Sequence, residues 1–346
     1  MRKATISDVA ALAGVSRTTV SRYLNLPESV SPEKQRIVKA AMEKLQYRPS
    51  SLARTLRTKR SRTIGLIVPD ITAPFFAELA SVVQATALKY GYTVFLCSSG
   101  EDVQVEQRFA RTLIDHNVDG VIYIATGYSG RTLDLQSIPV PIVALDRFIF
   151  GDNVASVISD NAAGGRLVAE HLAGLGHTSA LLVMGSTRLP TYSDRLRGFI
   201  MKWTDPNDAV RRTYHCVECP IDTTGARRAV RNFMAETGTS FTCVFAGTDF
   251  MAAGAIMAIS ERGLSVPREI SFVGYDNSSI ASIISPPLTT VDQPKDDMGR
   301  IGVERLVALI EQENAHQSTD GSDRVFVLNP TLVVGRSTSR VSQERD

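Results

Sequence analysis

Arg17, Thr18, Ser21 and Arg22 are spaced to share one side of a helix, which would carry two guanidinium groups and two hydroxyls on a single face. Guanidinium groups pair bidentately with guanine or phosphate, and hydroxyls reach base edges or phosphate oxygens, so this is the chemistry of nucleic-acid recognition. A second reactive set lies further along, each member just after a short apolar run. It comprises Asp70 to Phe76, Asp146-Arg147, Asp160-Asn161, Gly185 to Thr191 leading into Ser193-Asp194-Arg195, Thr248-Asp249, Asp276-Asn277, and finally Gln293. Aromatic faces, carboxylates, guanidinium groups and amides together suit a polyhydroxylated ligand: rings cover the apolar face of a sugar, and bidentate groups take its hydroxyls. Other roles stay open for single members. Asp160 and Asp249 could be helix caps, Phe75 and Phe76 core residues, and Arg195 a surface partner of Asp194.

The first set needs a helix pair to present it. Thr5 is placed to cap a first helix with Asp8 as its capping-box partner, and Val9, Ala10, Leu12 and Ala13 form a small apolar stripe. Gly14 stops that helix and Ser16 caps the next, whose inner face carries Thr19, Val20 and Tyr23. This is a helix-turn-helix. Ser31-Pro32 opens a third helix, with Ile37, Val38, Ala41, Met42 and Leu45 at helical spacing, and Tyr47-Arg48-Pro49 ends it. Residues 50–60 form a basic linker with Leu52, Ala53 and Leu56 on one side, too short for a stable isolated helix, so DNA or a second copy is needed to order it. Residues 1–62 hold 14 Lys or Arg against 4 Asp or Glu, a net of +10, so the formal charge of +2 for all 346 residues conceals a basic head on an acidic body. A focused basic surface on a small module is the footprint of nucleic-acid binding.

From Thr63 the pattern alternates between strands and helices. Apolar runs at 64–68, 92–96, 120–124 and 142–145 read as parallel strands covered on both faces, with helices near 75–90 and 103–116. A second series has strands near 179–184, 213–217, 241–246 and 270–275, and helices near 162–175, 193–203, 223–236 and 249–262. The fold class is therefore α/β: a three-helix head with a hinge helix, then two doubly wound parallel-sheet subdomains whose ligands sit beyond the carboxyl ends of the strands. Cys97 and Cys243 fall in strand-like runs, and Cys216-x-x-Cys219 lies in a strand without a second such pair, so no metal and no cofactor is expected. No phosphate-loop, dinucleotide, serine-hydrolase or zincin motif occurs, which argues against an enzyme. The start lacks a signal-peptide run and no stretch of about 20 apolar residues exists, so a cytoplasmic protein without a membrane partner is expected.

These motifs resemble the LacI/GalR family of transcription regulators. The likeness rests on Asp8-Val9-Ala10, Ala13-Gly14-Val15-Ser16, Thr19-Val20-Ser21-Arg22, Leu52-Ala53-Arg54-Thr55-Leu56, Pro74-Phe75-Phe76-Ala77, Val118-Asp119-Gly120-Val121-Ile122, Asp160-Asn161, Gly247-Thr248-Asp249-Phe250-Met251-Ala252 and Gly274-Tyr275-Asp276-Asn277. It implies a homodimeric repressor of carbohydrate genes that binds operator DNA, with a body similar to periplasmic sugar-binding proteins. Residues 1–48 would be the head and 49–62 the hinge. Residues 63–346 would bind effector and dimerise, three crossovers dividing them into one subdomain of about 63–160 plus 292–322 and another of about 161–291 plus 323–338. Arg17, Thr18 and Arg22 would read the major groove, with Thr5, Ser16, Ser21, Asn25 and Ser31 also facing DNA. Leu56 would wedge into the minor groove beside Leu52 and Ala53. Phe75, Phe76, Asp146, Arg147, Arg195, Asp276 and Gln293 match sugar-holding positions, and Thr191 and Thr248 join them. Ala73 and Thr248 replace asparagines of the ribose pattern, which argues against ribose itself. The implied effector is a monosaccharide, sugar acid or sugar phosphate, with a purine corepressor or a phosphorylated carrier protein as alternatives. The last eleven residues hold one apolar side chain, too few for a tetramerising leucine heptad, so assembly is expected to stop at a dimer.

Overall fold

The computed structural model describes residues 4–47, 60–126, 138–149, 151, 154–315 and 324–341. The chain divides into two units, residues 1–61 and 62–346. Leu52, Ala53 and Leu56 lie outside the described residues.

The head holds three helices: α1 (Ile6–Ala13), α2 (Arg17–Asn25) and α3 (Pro32–Lys44). Thr5 and Asp8 form the expected capping box, and Gly14 closes α1 at φ 61°, a left-handed conformation that costs glycine little. Ser16 Oγ accepts the Thr19 N–H at 3.1 Å to start α2. Val9, Val20 and Val38, one from each helix, are fully buried in the core. Leu12 and Ile37, expected in apolar stripes, are exposed instead, since each flanks the buried face of its helix. The helix α3 ends at Lys44, before the proline, and Gln46 turns the chain at φ 48°.

The larger unit has two lobes. The first lobe contains β1 (Thr63–Val68), α4 (Pro74–Lys89), β2 (Thr93–Ser98), α5 (Val103–Asp115), β3 (Gly120–Tyr123), β4 (Ile142–Leu145) and β5 (Val154–Ser159). The second contains α6 (Asn161–Gly174), β6 (Ser179–Met184), α7 (Pro190–Trp203), β7 (Thr213–Glu218), α8 (Thr223–Thr237), β8 (Cys243–Ala246), α9 (Asp249–Glu261), β9 (Ser271–Asp276), α10 (Ser279–Ile283) and β10 (Thr289–Asp292). The chain then returns through α11 (Lys295–Ala315) and β11 (Val325–Leu328) to the first lobe and finishes in the second with β12 (Thr331–Val333).

The sheets run β11-β5-β4-β3-β1-β2 and β12-β10-β9-β8-β6-β7, all parallel except β12 against β10. Because β11 pairs with β5, the third crossover falls after Leu328 rather than at about residue 323. The period-2 alternation of β1 explains its full burial: Ile64, Leu66 and Val68 pack under α4 and α11, while Ile67 packs under α5. The run at β2 is expected to be covered on both faces, and 213–217 is expected to be a strand. Both are edge strands, and Phe95, Leu96 and Tyr214 are exposed.

Order reversal in each sheet, between β1 and β3 and between β6 and β8, opens a crevice beyond the strand ends where ligands bind in such folds. In the second lobe Gly165 and Gly198 let α6 and α7 cross closely, since a Cβ on either would collide with the carbonyl oxygen of Arg195 or Ala162 respectively.

Candidate functional site

On the head, Arg17, Thr18 and Arg22 are exposed along α2, and Ser21 is half-buried rather than outward. Asn25 Nδ2 donates to the Ser21 carbonyl, so the Asn25 side chain braces one turn of α2. The Thr5 hydroxyl donates to Asp8 Oδ2 at 2.7 Å, and Ser16 Oγ lies 2.9 Å from Thr19 Oγ1. Ser31 holds the N-cap position of α3 without a side-chain capping bond. The face thus presents three long or hydroxylated side chains over a rigid, capped helix.

In the larger unit the strand ends converge. One cavity is lined by Phe75, Phe76, Asp146 and Arg147 from the first lobe, by Thr191, Arg195, Thr248 and Asp276 from the second, and by Gln293 from the crossover between them. Ala73, Pro74, Tyr192, Ile221, Phe250 and Ser278 complete the lining. The strand-end rule reaches the neighbourhood of these residues, but nothing in their types singled out Tyr192, Ile221 or Ser278.

Arg195 is buried and points inward, as the ligand reading expects; Asp194, its partner in the alternative reading, pairs with Arg197 at 2.9 Å instead. Arg195 donates through Nε to Asn161 Oδ1 at 2.8 Å and through a terminal nitrogen to the Gly247 carbonyl at 2.5 Å. Its guanidinium stacks 3.7 Å over the Tyr275 ring and sits 3.7 Å from Asp276 Oδ1. Gln293 Nε2 donates to that same carboxylate oxygen at 2.8 Å. Across the cavity Arg147 donates to the Ala125 carbonyl and lies 3.7 Å from Asp146. Asp160 is the N-cap of α6, accepting the Ala163 N–H at 2.7 Å. Thr248, not Asp249, caps α9. Asp249 is fully buried and ties the neighbouring loop, accepting from Ser278 N at 2.7 Å and Thr290 Oγ1 at 2.6 Å.

Burial pushes Asp276 up to about 8, against the pull of Arg195 and with a further push from Asp249. Burial also raises Asp146, with Arg147 and Arg195 opposing it, and lifts Asp249 to about 6. Three polar atoms of this cavity have no hydrogen-bond partner: Asp146 Oδ1, Arg147 Nε and Gln293 Oε1. An unpaired buried polar group costs about 1 to 3 kcal/mol, so a ligand that supplies both donors and an acceptor gains by filling all three. Asp146 and Asp276 are held at φ 65° and 103°, and Asn277 at 45°. Such backbone strain, of order 1 to 3 kcal/mol each, persists where surrounding structure over-determines a functional position.

Cys216 lies in β7 and Cys219 just past it; partial burial, reinforced by Glu218 and Asp222, pushes both thiols up to about 11. Among the described residues no cluster of His, Cys, Asp or Glu is arranged to hold a metal, and no helix is long and apolar enough to cross a membrane.

Comparison with known proteins gives the same two-part division. Residues 5–50 match the bacterial regulatory proteins of the lacI family, and residues 61–327 match the periplasmic binding proteins and sugar-binding domain of that family. The chain is 35% identical to the HTH-type transcriptional repressor PurR of Aliivibrio fischeri, over 97% of this chain and 98% of that one. It is 36% identical to the ribose operon repressor of Halalkalibacterium halodurans, over 89% and 91%. Among solved structures, the lac repressor dimer bound to operator and an anti-inducer aligns with a TM-score of 0.81 at 27% identity, covering 98% of this chain and all of that one. A regulator from Enterococcus faecalis with bound ribose aligns at 0.70 and 30% identity, covering 81% and 100%.

Proposed function

Since the chain belongs to the LacI family, and is a DNA-binding transcriptional repressor that responds to a small-molecule effector as a dimer, we propose that its effector is a neutral monosaccharide held in the cavity between the lobes. The observation that carries this reading is the set of unpartnered atoms on Asp146, Arg147 and Gln293. Hydroxyl groups both donate and accept, so a polyol satisfies all three, while Phe75, Phe76 and Phe250 supply ring faces for its apolar side. Charge favours neutrality. The adjoining cleft is lined by Asp70, Glu101, Glu218 and Asp222 with no basic residue. That field opposes a sugar acid or sugar phosphate.

On this reading the protein is a cytoplasmic regulator of carbohydrate-utilisation genes, not an enzyme, and effector binding shifts the balance between two lobe arrangements. The exposed Leu88, Tyr90, Phe95 and Leu96 of the first lobe offer an apolar face to the second copy. A purine corepressor is the second reading, because the same aromatic rings could stack on a base. Thermal-shift titration against neutral monosaccharides, sugar acids, sugar phosphates and purines separates these. A ligand at 100 times its dissociation constant adds about 2.7 kcal/mol, and a response confined to anions or purines would reverse the assignment.

Two further outcomes follow. Arg17→Ala should relax preference at one symmetric base position of the operator, at about 1 to 3 kcal/mol per base contact, as read by binding to a set of single-base operator variants. Uniform weakening on every variant would mean that Arg17 only holds phosphate. The second concerns pH. Asp276 has its folded pKa raised above the ordinary 3.8, to about 8, so its contribution to stability is present below about 4 and is lost as pH climbs through about 8. A sugar hydroxyl donates to the ionised carboxylate, so effector affinity should strengthen as pH rises toward 8 and binding at pH 7 should release protons. Calorimetry in buffers of different ionisation enthalpy reads this directly; a flat profile from pH 6 to 9 would remove Asp276 from the site.

A further inference from the structure

Glu78 is five residues into α4, the helix whose first turn gives Phe75 and Phe76 to the cavity. One carboxylate oxygen reaches across to the second lobe, where Oε1 accepts the Ser279 N–H at 2.7 Å, while Oε2 lies 3.5 Å from Lys295 Nζ at the start of α11, which packs beside α4. Lys295 opens α11, where a positive charge opposes the helix dipole and needs local compensation. It finds that in Glu78 and in two carbonyls, donating to Asp276 O at 2.5 Å and Asn277 O at 2.8 Å.

Those carbonyls belong to the loop that aims the Asp276 carboxylate into the cavity, with both residues at positive φ. The rest of the loop is anchored within the second lobe and at its edge. The Asn277 N–H donates to Thr290 Oγ1 at 3.3 Å, Asn277 Nδ2 to Asp292 Oδ1 at 2.9 Å, and the Ser278 N–H to Asp249 at 2.7 Å. Glu78, with Lys295 beside it, brings the contacts that arrive from the first lobe.

We propose that Glu78 is a positioning residue that makes lobe closure and the aim of Asp276 a single equilibrium. Glu78 neutralises Lys295 beside it, and when the lobes are together Glu78 pins Ser279 while Lys295 holds the Asp276 and Asn277 carbonyls in their strained conformation. When they part, Ser279 leaves Glu78 and the Asp276 and Asn277 carbonyls leave Lys295, so the loop loses its outer support. The functional meaning rests on reading Asp276 as an effector group, but the mechanical coupling is measurable without any ligand.

The test is amide hydrogen exchange on the ligand-free, full-length protein, comparing the parent with Glu78→Gln, Glu78→Ala and Lys295→Met. Loss of the direct bond should speed exchange at Ser279 about tenfold in Glu78→Ala. The diagnostic amides are Asn277 and Ser278, which bond to Thr290 and Asp249 and to neither mutated residue. They should exchange about threefold or more faster in Glu78→Ala and in Lys295→Met, with the β6 and β8 amides unchanged. Glu78→Gln keeps an acceptor for Ser279 but not the charge, so it should protect Ser279 while leaving Asn277 and Ser278 faster. Acceleration confined to Ser279 would reduce Glu78 to a local cap and overturn the proposal. Acceleration spread evenly over the second lobe would do so too, as a general loss of stability. Because no sugar enters the experiment, a wrong effector assignment leaves its outcome untouched.

Discussion

Asp276→Ala and Arg195→Ala are each expected to weaken effector binding by roughly ten- to a hundredfold or more, the cost of leaving a buried polar group unpaired. Removing Asp276 deprives the ligand of a carboxylate acceptor and strands the Gln293 amide and the Arg195 guanidinium, which sits 3.7 Å away. Removing Arg195 also breaks the bonds to Asn161 and Gly247 and uncovers the Tyr275 ring, so its effect should be the larger. Operator binding without effector should persist in both, because these residues belong to the larger unit and the reading helix to the head. Calorimetric titration with the monosaccharide that most stabilises the parent, beside operator binding in its absence, checks both halves. Unchanged sugar affinity in both variants would mean that the effector sits elsewhere.

Gly165→Ala and Gly198→Ala are expected to be among the most damaging single-methyl additions, each costing about 3 kcal/mol or more, at or beyond the usual upper end for overpacking. In each case the new methyl meets a backbone carbonyl, Arg195 or Ala162, which cannot rotate aside as a side chain would. The helices α6 and α7 would have to separate, moving Arg195 away from Asn161 and so damaging the cavity as well as the fold. Gly174, near the end of the same α6, provides the control: a methyl there meets nothing within 4 Å, so Gly174→Ala should be neutral or slightly stabilising. Denaturant midpoints for the three variants decide it. Equal behaviour would show that the crossing adjusts freely.

Much of this protein is set by its sequence alone. The caps at Thr5 and Ser16 depend on a side chain meeting a backbone N–H three residues away, and that at Gly14 on a left-handed backbone that glycine adopts freely, so the helix-turn-helix is locally encoded. The alternation of apolar runs with amphipathic helices, and the rule that ligands sit beyond strand ends, already drew attention to Asp146, Arg195, Asp276 and Gln293. Tertiary structure decided what no local rule contains. It placed β2 and β7 at sheet edges, leaving Phe95 and Leu96 bare, because strand order depends on which distant segment pairs next. It took Val325–Leu328 into the first sheet and turned Arg195 from Asp194 toward Asn161 and Gly247. It also brought Glu78 to Ser279, 201 positions away, and held Asp276 in a backbone conformation it would not adopt unaided. Those choices rest on contacts between residues far apart in the chain, whose free energy exists only once both lobes have folded.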